Sequence, residues 1–281
     1  MTKKNQNNHK SGPGHKGQKG KYHSKPRRDK KSPQKDLKGA ANIFGTHAVS
    51  HAWANPDRRI KNLYITSQAL RPASAWLDQK PGPERPEPQI VERRQLDKLC
   101  KGAVHQGIAI EAEPLPEQFL SDLLIRTENN ENSLLVMLDH VTDPHNVGAV
   151  LRSACAFGAD GLIQQKRHAP SPEGVLAKSA SGAAEYIPMI DVINLSHALD
   201  ELKDSGFTAI ALDERGDPIN SVLPEPPGKC VIVLGAEGKG LRPKVRESCS
   251  VSVKIPTSGK IAALNVSNAA AISLYHVSRK G

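Results

Sequence analysis

No stretch of the 281 residues is apolar over the ~20 positions needed to span a bilayer, which excludes a membrane helix. The first residues also lack the hydrophobic segment of a signal peptide. Cysteine is scarce: Cys100, Cys155, Cys230 and Cys249 lie too far apart for a zinc-type or redox pair. They read as reduced thiols, and the chain as a soluble cytoplasmic protein. A P-loop is missing, because Gly235-Ala-Glu-Gly-Lys-Gly240 lacks the Gly-Lys-Ser/Thr ending. No Ser/His/Asp or Cys/His nucleophile arrangement stands out. His140, Asp143 and His145 share one loop, but no second ligand cluster supports them, so no metal is expected.

What the chain does have is positive charge, unevenly placed. Residues 1–38 carry 13 Lys/Arg against Asp29 and Asp36, a net of +11, whereas the remainder carries 26 against 27. This segment has almost nothing to pack, so it cannot offset its ordering entropy and is expected to be a disordered basic arm. Its partner is a polyanion, with RNA the obvious candidate. Tyr22 is its only aromatic residue, so it offers no stacking platform for bases.

Residues 40–112 have the pattern of a small α/β domain. Helical spacing follows Gly45 through Trp53, Ile60–Ile65 and Ile108–Ala112 alternate as strands, and Ala69–Leu77 and Gln95–Leu99 suit short helices, with a strand at Ile90–Glu92 between them. Arg58, Arg59, Arg93 and Arg94 are candidates for phosphate contact, while lone histidines such as His47, His51 and His105 are more often structural. Residues 113–132 have the composition of a linker around one apolar patch, Phe119–Leu124. From residue 133 to 281 strand–loop–helix repeats take over. Leu134–Leu138 is a continuous apolar run, as in a strand buried on both faces. A helix over Val147–Phe157, a strand over Gly161–Gln164 and a helix over Ser171–Ala184 follow. Strands at Ile187–Val192, Phe207–Asp213, Val231–Leu234 and Val251–Ile255, with helices at Ser196–Asp204 and Asn265–Val277, complete a mostly parallel sheet covered on both faces.

Three loops concentrate the unusual polar residues. The first, Asp143-Pro-His-Asn-Val-Gly, places Asn146 at an expected N-cap and Arg152 one to two turns into the following helix. The second, Gly235–Gly240, sets Glu237 among glycines that let backbone approach a ligand. The third, Ile255–Ser267, ends with Asn265 and Ser267 at the start of the last helix. In an open α/β sheet such loops, following strand C-termini, form ligand sites.

These three segments, Asp143-Pro-His-Asn-Val-Gly-Ala…Leu-Arg-Ser-Ala154, Val233-Leu-Gly-Ala-Glu-Gly-Lys-Gly-Leu241 and Ile255-Pro…Leu264-Asn-Val-Ser-Asn-Ala-Ala-Ala271, resemble the motifs of the SpoU/TrmH family. That family comprises RNA ribose 2′-O-methyltransferases of the SPOUT superfamily. The chain is most similar to the subgroup acting on guanosine in 23S rRNA, and Ile43-Phe-Gly-Thr-His-Ala-Val is similar to the opening of its L30e-like RNA-binding domain. The resemblance implies a C-terminal SPOUT domain with a deep trefoil knot and a homodimer with its site near the subunit interface. The cofactor it implies is S-adenosylmethionine, held by Gly235, Ile255 and Leu264. The implied catalytic set is Asn146, Arg152, Glu237, Asn265 and Ser267.

The implied chemistry has a physical basis. A ribose hydroxyl is a poor nucleophile and the sulfonium methyl demands in-line approach, so positioning is a major contribution. Charge develops on the 2′-oxygen, where a cation stabilises it. Since a guanidinium stays protonated, Arg152 is better cast as electrostatic stabiliser and phosphate anchor than as base, with the proton acceptor left open. Two alternatives are a tRNA methyltransferase and a non-catalytic ribosome-assembly factor. The extra N-terminal domain argues against the first, and the intact Arg152, Glu237, Asn265 and Ser267 argue against the second. Two positions depart from the family pattern: Ala271 replaces a glycine, and Asn268 puts a polar group where an apolar residue is usual, near the knot or dimer contact.

Overall fold

The computed structural model describes residues 40–79, 85–222, 228–259 and 264–278, so the basic arm lies outside the described residues. The N-terminal part opens with β1 (Ile43–Phe44), and Gly45 at φ 94° turns the chain into α1 (Thr46–Ala54). It continues through β2 (Ile60–Ile65), α2 (Ser67–Leu77), β3 (Pro88–Ile90), α3 (Arg93–Leu99) and β4 (Ile108–Ala112). The strands form a mixed sheet in the order β1-β4-β2-β3, with β2 parallel to β3 and antiparallel to β4. Val49, Trp53, Leu63, Ile65 and Ile110 fill the core between sheet and helices.

The expected linker does more than connect. Its apolar patch forms α4 (Leu120–Thr127), and Leu120 and Leu123 are buried against the second sheet. Then follow β5 (Ser133–Asp139), α5 (Pro144–Ala156), β6 (Gly161–Gln165), α6 (Val175–Ala180), β7 (Met189–Val192) and α7 (Leu195–Asp204). The chain ends with β8 (Thr208–Pro218), α8 (Ile219–Val222), β9 (Lys229–Gly235), α9 (Pro243–Glu247), β10 (Val251–Lys254) and α10 (Val266–Val277). All six strands of this sheet are parallel, in the order β10-β8-β9-β5-β6-β7. Every residue of β5 is buried, which is why it is apolar on both faces. Among the described residues no helix is long and apolar enough to cross a membrane.

Three local expectations are corrected. The helix predicted over Ser171–Ala184 shrinks to α6, because Gly174, Ser181 and Gly182 adopt positive φ and interrupt it. Asn146 is not an N-cap: helix α5 starts earlier, with Asp143 capping it and Pro144 in the first turn. Strand β8 runs beyond Asp213. Its pairing with β10 jumps from Ala211↔Ser252 to Asp217↔Val253, and a Cβ on Gly216 would stand 2.6 Å from the Ser252 and Val253 backbone.

Helix α6 is a wall shared by both sheets. Ala177 packs into the N-terminal core, while a Cβ on Gly148 of α5 would lie 2.6 Å from Leu176 O. Beside it, Arg58 donates to both Glu185 carboxylate oxygens at 2.8 and 3.0 Å, and Asn55 donates to the same carboxylate at 2.9 Å. Arg58 is therefore an internal ion-pair partner and not the phosphate contact that its sequence context suggested; its side chain and that of Glu185 are 8% and 3% exposed. His51 is structural too, bonding the Tyr186 hydroxyl at 2.8 Å.

Candidate functional site

Strands β5, β9 and β10 all end on one edge of the parallel sheet, and the loops after them converge. Between β5 and β9 the strand order reverses, the position at which open α/β sheets form crevices. Asn146, in the first turn of α5, donates through Nδ2 to Glu237 Oε1 at 3.2 Å. Asn265 Nδ2 reaches the same oxygen at 2.7 Å and Asn146 Oδ1 at 3.0 Å, and the Val266 amide adds a third donor to Glu237 at 3.4 Å. Asn265 is also the N-cap of α10: its Oδ1 accepts from the Ser267 and Asn268 amides and from the Ser267 hydroxyl. One carboxylate thus gathers the ends of three distant segments and fixes both asparagines.

Four of the five residues singled out for catalysis meet in this network. Arg152 does not join it. Six positions after Asn146 on α5, it is turned about 120° around the helix and lies exposed. Among the described residues it has no hydrogen-bond or ion-pair partner. The candidate cofactor residues occupy the same edge. Gly235 ends β9, and any side chain there would collide with the backbone of Gly240 and Leu241, where the second loop folds back through a Gly240 N–H to Ala236 O bond of 2.8 Å. Ile255 is half-buried just after β10, and Leu264, 38% exposed, precedes the α10 cap. Residues 260–263 of the third loop lie outside the described residues.

Sequence reasoning missed the clamp that holds the second loop. Asp139, fully buried at the end of β5, accepts from Arg242 N at 2.9 Å and Arg242 Nε at 2.7 Å. The available signal was an acid placed immediately after an all-apolar strand. The loop histidines have other partners: His140 bonds Gln165 and packs edge-on against His168, and His145 meets the Ser179 hydroxyl at 3.2 Å. All four cysteines are free, and burial pushes the Cys230 and Cys249 thiols up to about 12, too high for nucleophiles.

A SpoU rRNA methylase family model matches residues 133–275, and a model of the substrate-binding domain of RNA 2′-O ribose methyltransferases matches residues 42–118. The chain belongs to the SpoU family. Among its SpoU relatives, the 23S rRNA (guanosine-2′-O-)-methyltransferase RlmB of Pseudomonas putida is 36% identical over 242 residues, covering 85% of this chain and 96% of that one. The putative TrmH family tRNA/rRNA methyltransferase YacO of Bacillus subtilis is 32% identical, covering 85% and 95%. In fold the chain is similar to the SpoU methyltransferase AviRb from Streptomyces viridochromogenes, solved in complex with AdoMet, at a TM-score of 0.67 and 24% identity over 85% of this chain and 89% of that one.

Proposed function

We propose that this SpoU protein transfers a methyl group from S-adenosylmethionine to a guanosine ribose 2′-hydroxyl of 23S rRNA, in the cytoplasm. The observation carrying this reading is the single Glu237 carboxylate that ties Asn146 to Asn265 at the sheet edge. The SpoU family match and relatives named for guanosine 2′-O-methylation of 23S rRNA support it. The cofactor would lie against the second and third loops. Gly238 and Gly240, at φ 75° and 65°, leave backbone bare, and Ile255 and Leu264 provide apolar surface, a donor set suited to an adenosine with a polar tail. When bound, it supplies the electrophilic methyl.

The chain's own residues do the rest. Glu237 and Asn265 orient the first and third loops, and Asn146 and Ser267 hold the ribose in line, where orientation contributes most. Arg152 provides a fixed positive charge for the developing 2′-oxyanion and an adjacent phosphate.

A homodimer accompanies this reading. Ile272 and Tyr275, 43% and 59% exposed, lie with Asn268 along one outward face of α10, where a second copy would cover them and complete the surroundings of Arg152. The reading includes the deep knot that the family resemblance implies, with Asn265 placed beside Asn146. The domain division we adopt is a basic arm over 1–38, an L30e-like RNA-binding domain over 40–112, a connecting segment over 113–132 and the catalytic domain from 133 to 281. The deciding experiment measures labelled methyl transfer to unmodified 23S rRNA. Wild type should transfer it and Arg152→Ala should abolish transfer while binding S-adenosylmethionine normally. Transfer unaffected by Arg152→Ala refutes that residue's role, and no transfer by wild type to any RNA refutes the reading.

A further inference from the structure

Methylation of a ribose 2′-hydroxyl releases a proton, and the groups that organise the site are already engaged. Arg152 is a guanidinium, which has no lone pair to offer. Asp139 is buried and bound to Arg242, and Asp143 caps α5 through Oδ1. Glu237 accepts from Asn146, Asn265 and the Val266 amide on a single oxygen. His140 engages Gln165 through Nε2 and packs against His168. The remaining titratable side chain of the first loop is His145, the residue immediately before Asn146.

His145 has the arrangement of an oriented base. Its Nδ1 meets the Ser179 hydroxyl of α6 at 3.2 Å, and its Nε2 has no partner among the described residues. With Ser179 Oγ accepting, Nδ1 keeps the ring proton and Nε2 presents the open lone pair. A third group holding the far nitrogen in this way sets the tautomer and orientation of a basic histidine. Position agrees. Val147, Val150, Leu151 and Ala154 turn one side of α5 to the core, whereas His145 and Arg152 are exposed on the opposite side. Being seven positions apart, they lie within about 20° around the helix and about 10 Å along it. Long helical side chains lean towards the N-terminus, which carries the Arg152 guanidinium towards the turn of His145. A ribose oxygen held at Asn146 thus has a cation and an imidazole on the same exposed side of α5.

We propose that His145 Nε2 is the proton acceptor of the methyl transfer. The inference rests on the methyltransferase reading and deepens it. The ribose 2′-oxygen attacks the methyl carbon with a lone pair, and the carbon–sulfur electron pair stays on sulfur, giving S-adenosylhomocysteine. The O2′–H bond breaks towards Nε2. Its electron pair remains on the oxygen, now a neutral ether, and its proton converts His145 to an imidazolium. Because His145 is exposed, solvent can take that proton before the next turnover. Arg152 stabilises the oxygen while negative charge builds. Ser179 holds the ring through one neutral bond, so its loss alone would slow transfer only severalfold.

The test uses the full chain, in-vitro-transcribed 23S rRNA and labelled S-adenosylmethionine. His145→Gln keeps a polar side chain and removes the basic nitrogen, and His145→Ala leaves a gap that free imidazole can enter. Single-turnover transfer should fall about 100-fold in both, with rRNA affinity, S-adenosylmethionine affinity and melting temperature unchanged. Added imidazole should restore His145→Ala roughly tenfold, rising with its concentration, and should leave Arg152→Ala inactive. A His145→Gln rate within about threefold of wild type overturns the proposal and passes the role to the second carboxylate oxygen of Glu237. A loss that imidazole does not relieve overturns it equally, because it marks a residue that shapes the loop without taking the proton. Wild-type transfer is measured alongside. No transfer by wild type to any RNA refutes the enzymatic reading, whereas an active wild type with equally active His145 variants refutes only this inference.

Discussion

Gly148→Ala is the substitution for which the geometry gives the clearest expectation. The added Cβ would stand 2.6 Å from both Leu176 O and Ser179 Cβ and 3.0 Å from Ala180 N. Carbon contacts are optimal at roughly 3.5–4.0 Å, so about 1 Å of overlap must be relieved. Two of the three neighbours are backbone, and α6 is itself pinned to the N-terminal core through Ala177, so α5 is the element that yields. Overpacking of this kind costs about 1–3 kcal/mol, a fall in Tm of about 2–4 °C for each kcal/mol. The larger effect is on the site. Asn146 lies two residues from Gly148, and its bonds of 3.0 and 3.2 Å to Asn265 and Glu237 cannot survive a shift of that size. A misplacement of about 1 Å can reduce turnover about 100-fold. Single-turnover methyl transfer and thermal melting measure both effects. The second loop is also held from β5, by Asp139 on Arg242, so S-adenosylmethionine affinity should fall less than turnover. Adding Ser179→Gly removes one colliding atom and should restore part of the rate. A Gly148→Ala enzyme with turnover within about threefold of wild type and an unchanged Tm would refute the reasoning.

Other perturbations probe separate parts of the molecule. Glu237→Gln keeps an acceptor but turns three charge-assisted bonds into neutral ones at a partly exposed position, so turnover should fall about tenfold with little change in Tm; a wild-type rate would remove Glu237 from the organising role. Glu185→Ala leaves the Arg58 charge buried and unpaired, which should cost about 3–5 kcal/mol in denaturant unfolding, whereas a loss under 1 kcal/mol would mean the pair is hydrated in solution. Asp213 titrates at about 2, held down chiefly by its hydrogen bonds from Arg215. Its contribution is therefore complete above the ordinary carboxylate value of about 4 and is lost as pH falls from there through 2, so Asp213→Asn should lower stability at neutral pH and flatten acid unfolding in that window.

The long elements were legible because burial on both faces writes itself into sequence. Leu134–Leu138 and Val231–Leu234 are continuous apolar runs, and both lie in the middle of the parallel sheet. Where a short segment packs against two partners the pattern fades. The broken helix around α6 looked continuous because its break rests on Ser181 and Gly182 at positive φ, where Gly182 lies close against the His51 side chain. Arg58 resembled a surface cation for the same reason: Glu185, its partner, lies 127 residues away. In the candidate site, Asn146, Glu237, Asn265 and Ser267 could be named from the family resemblance of their three loops, but not that Glu237 is the shared acceptor. Asp139 and Arg242, which hold its loop, are joined only by the fold.

The Asn146–Glu237–Asn265 knot of bonds draws on chain positions 119 residues apart, the last of them at the cap of the final helix. A nascent chain can fold its N-terminal sheet and much of β5–β7 while synthesis continues. Without residues 265–277, however, Glu237 has lost two of its three donors and Asn146 has only one tether. The candidate site is thus withheld until translation has reached those residues, and partly made chains lack its organised hydrogen-bond network.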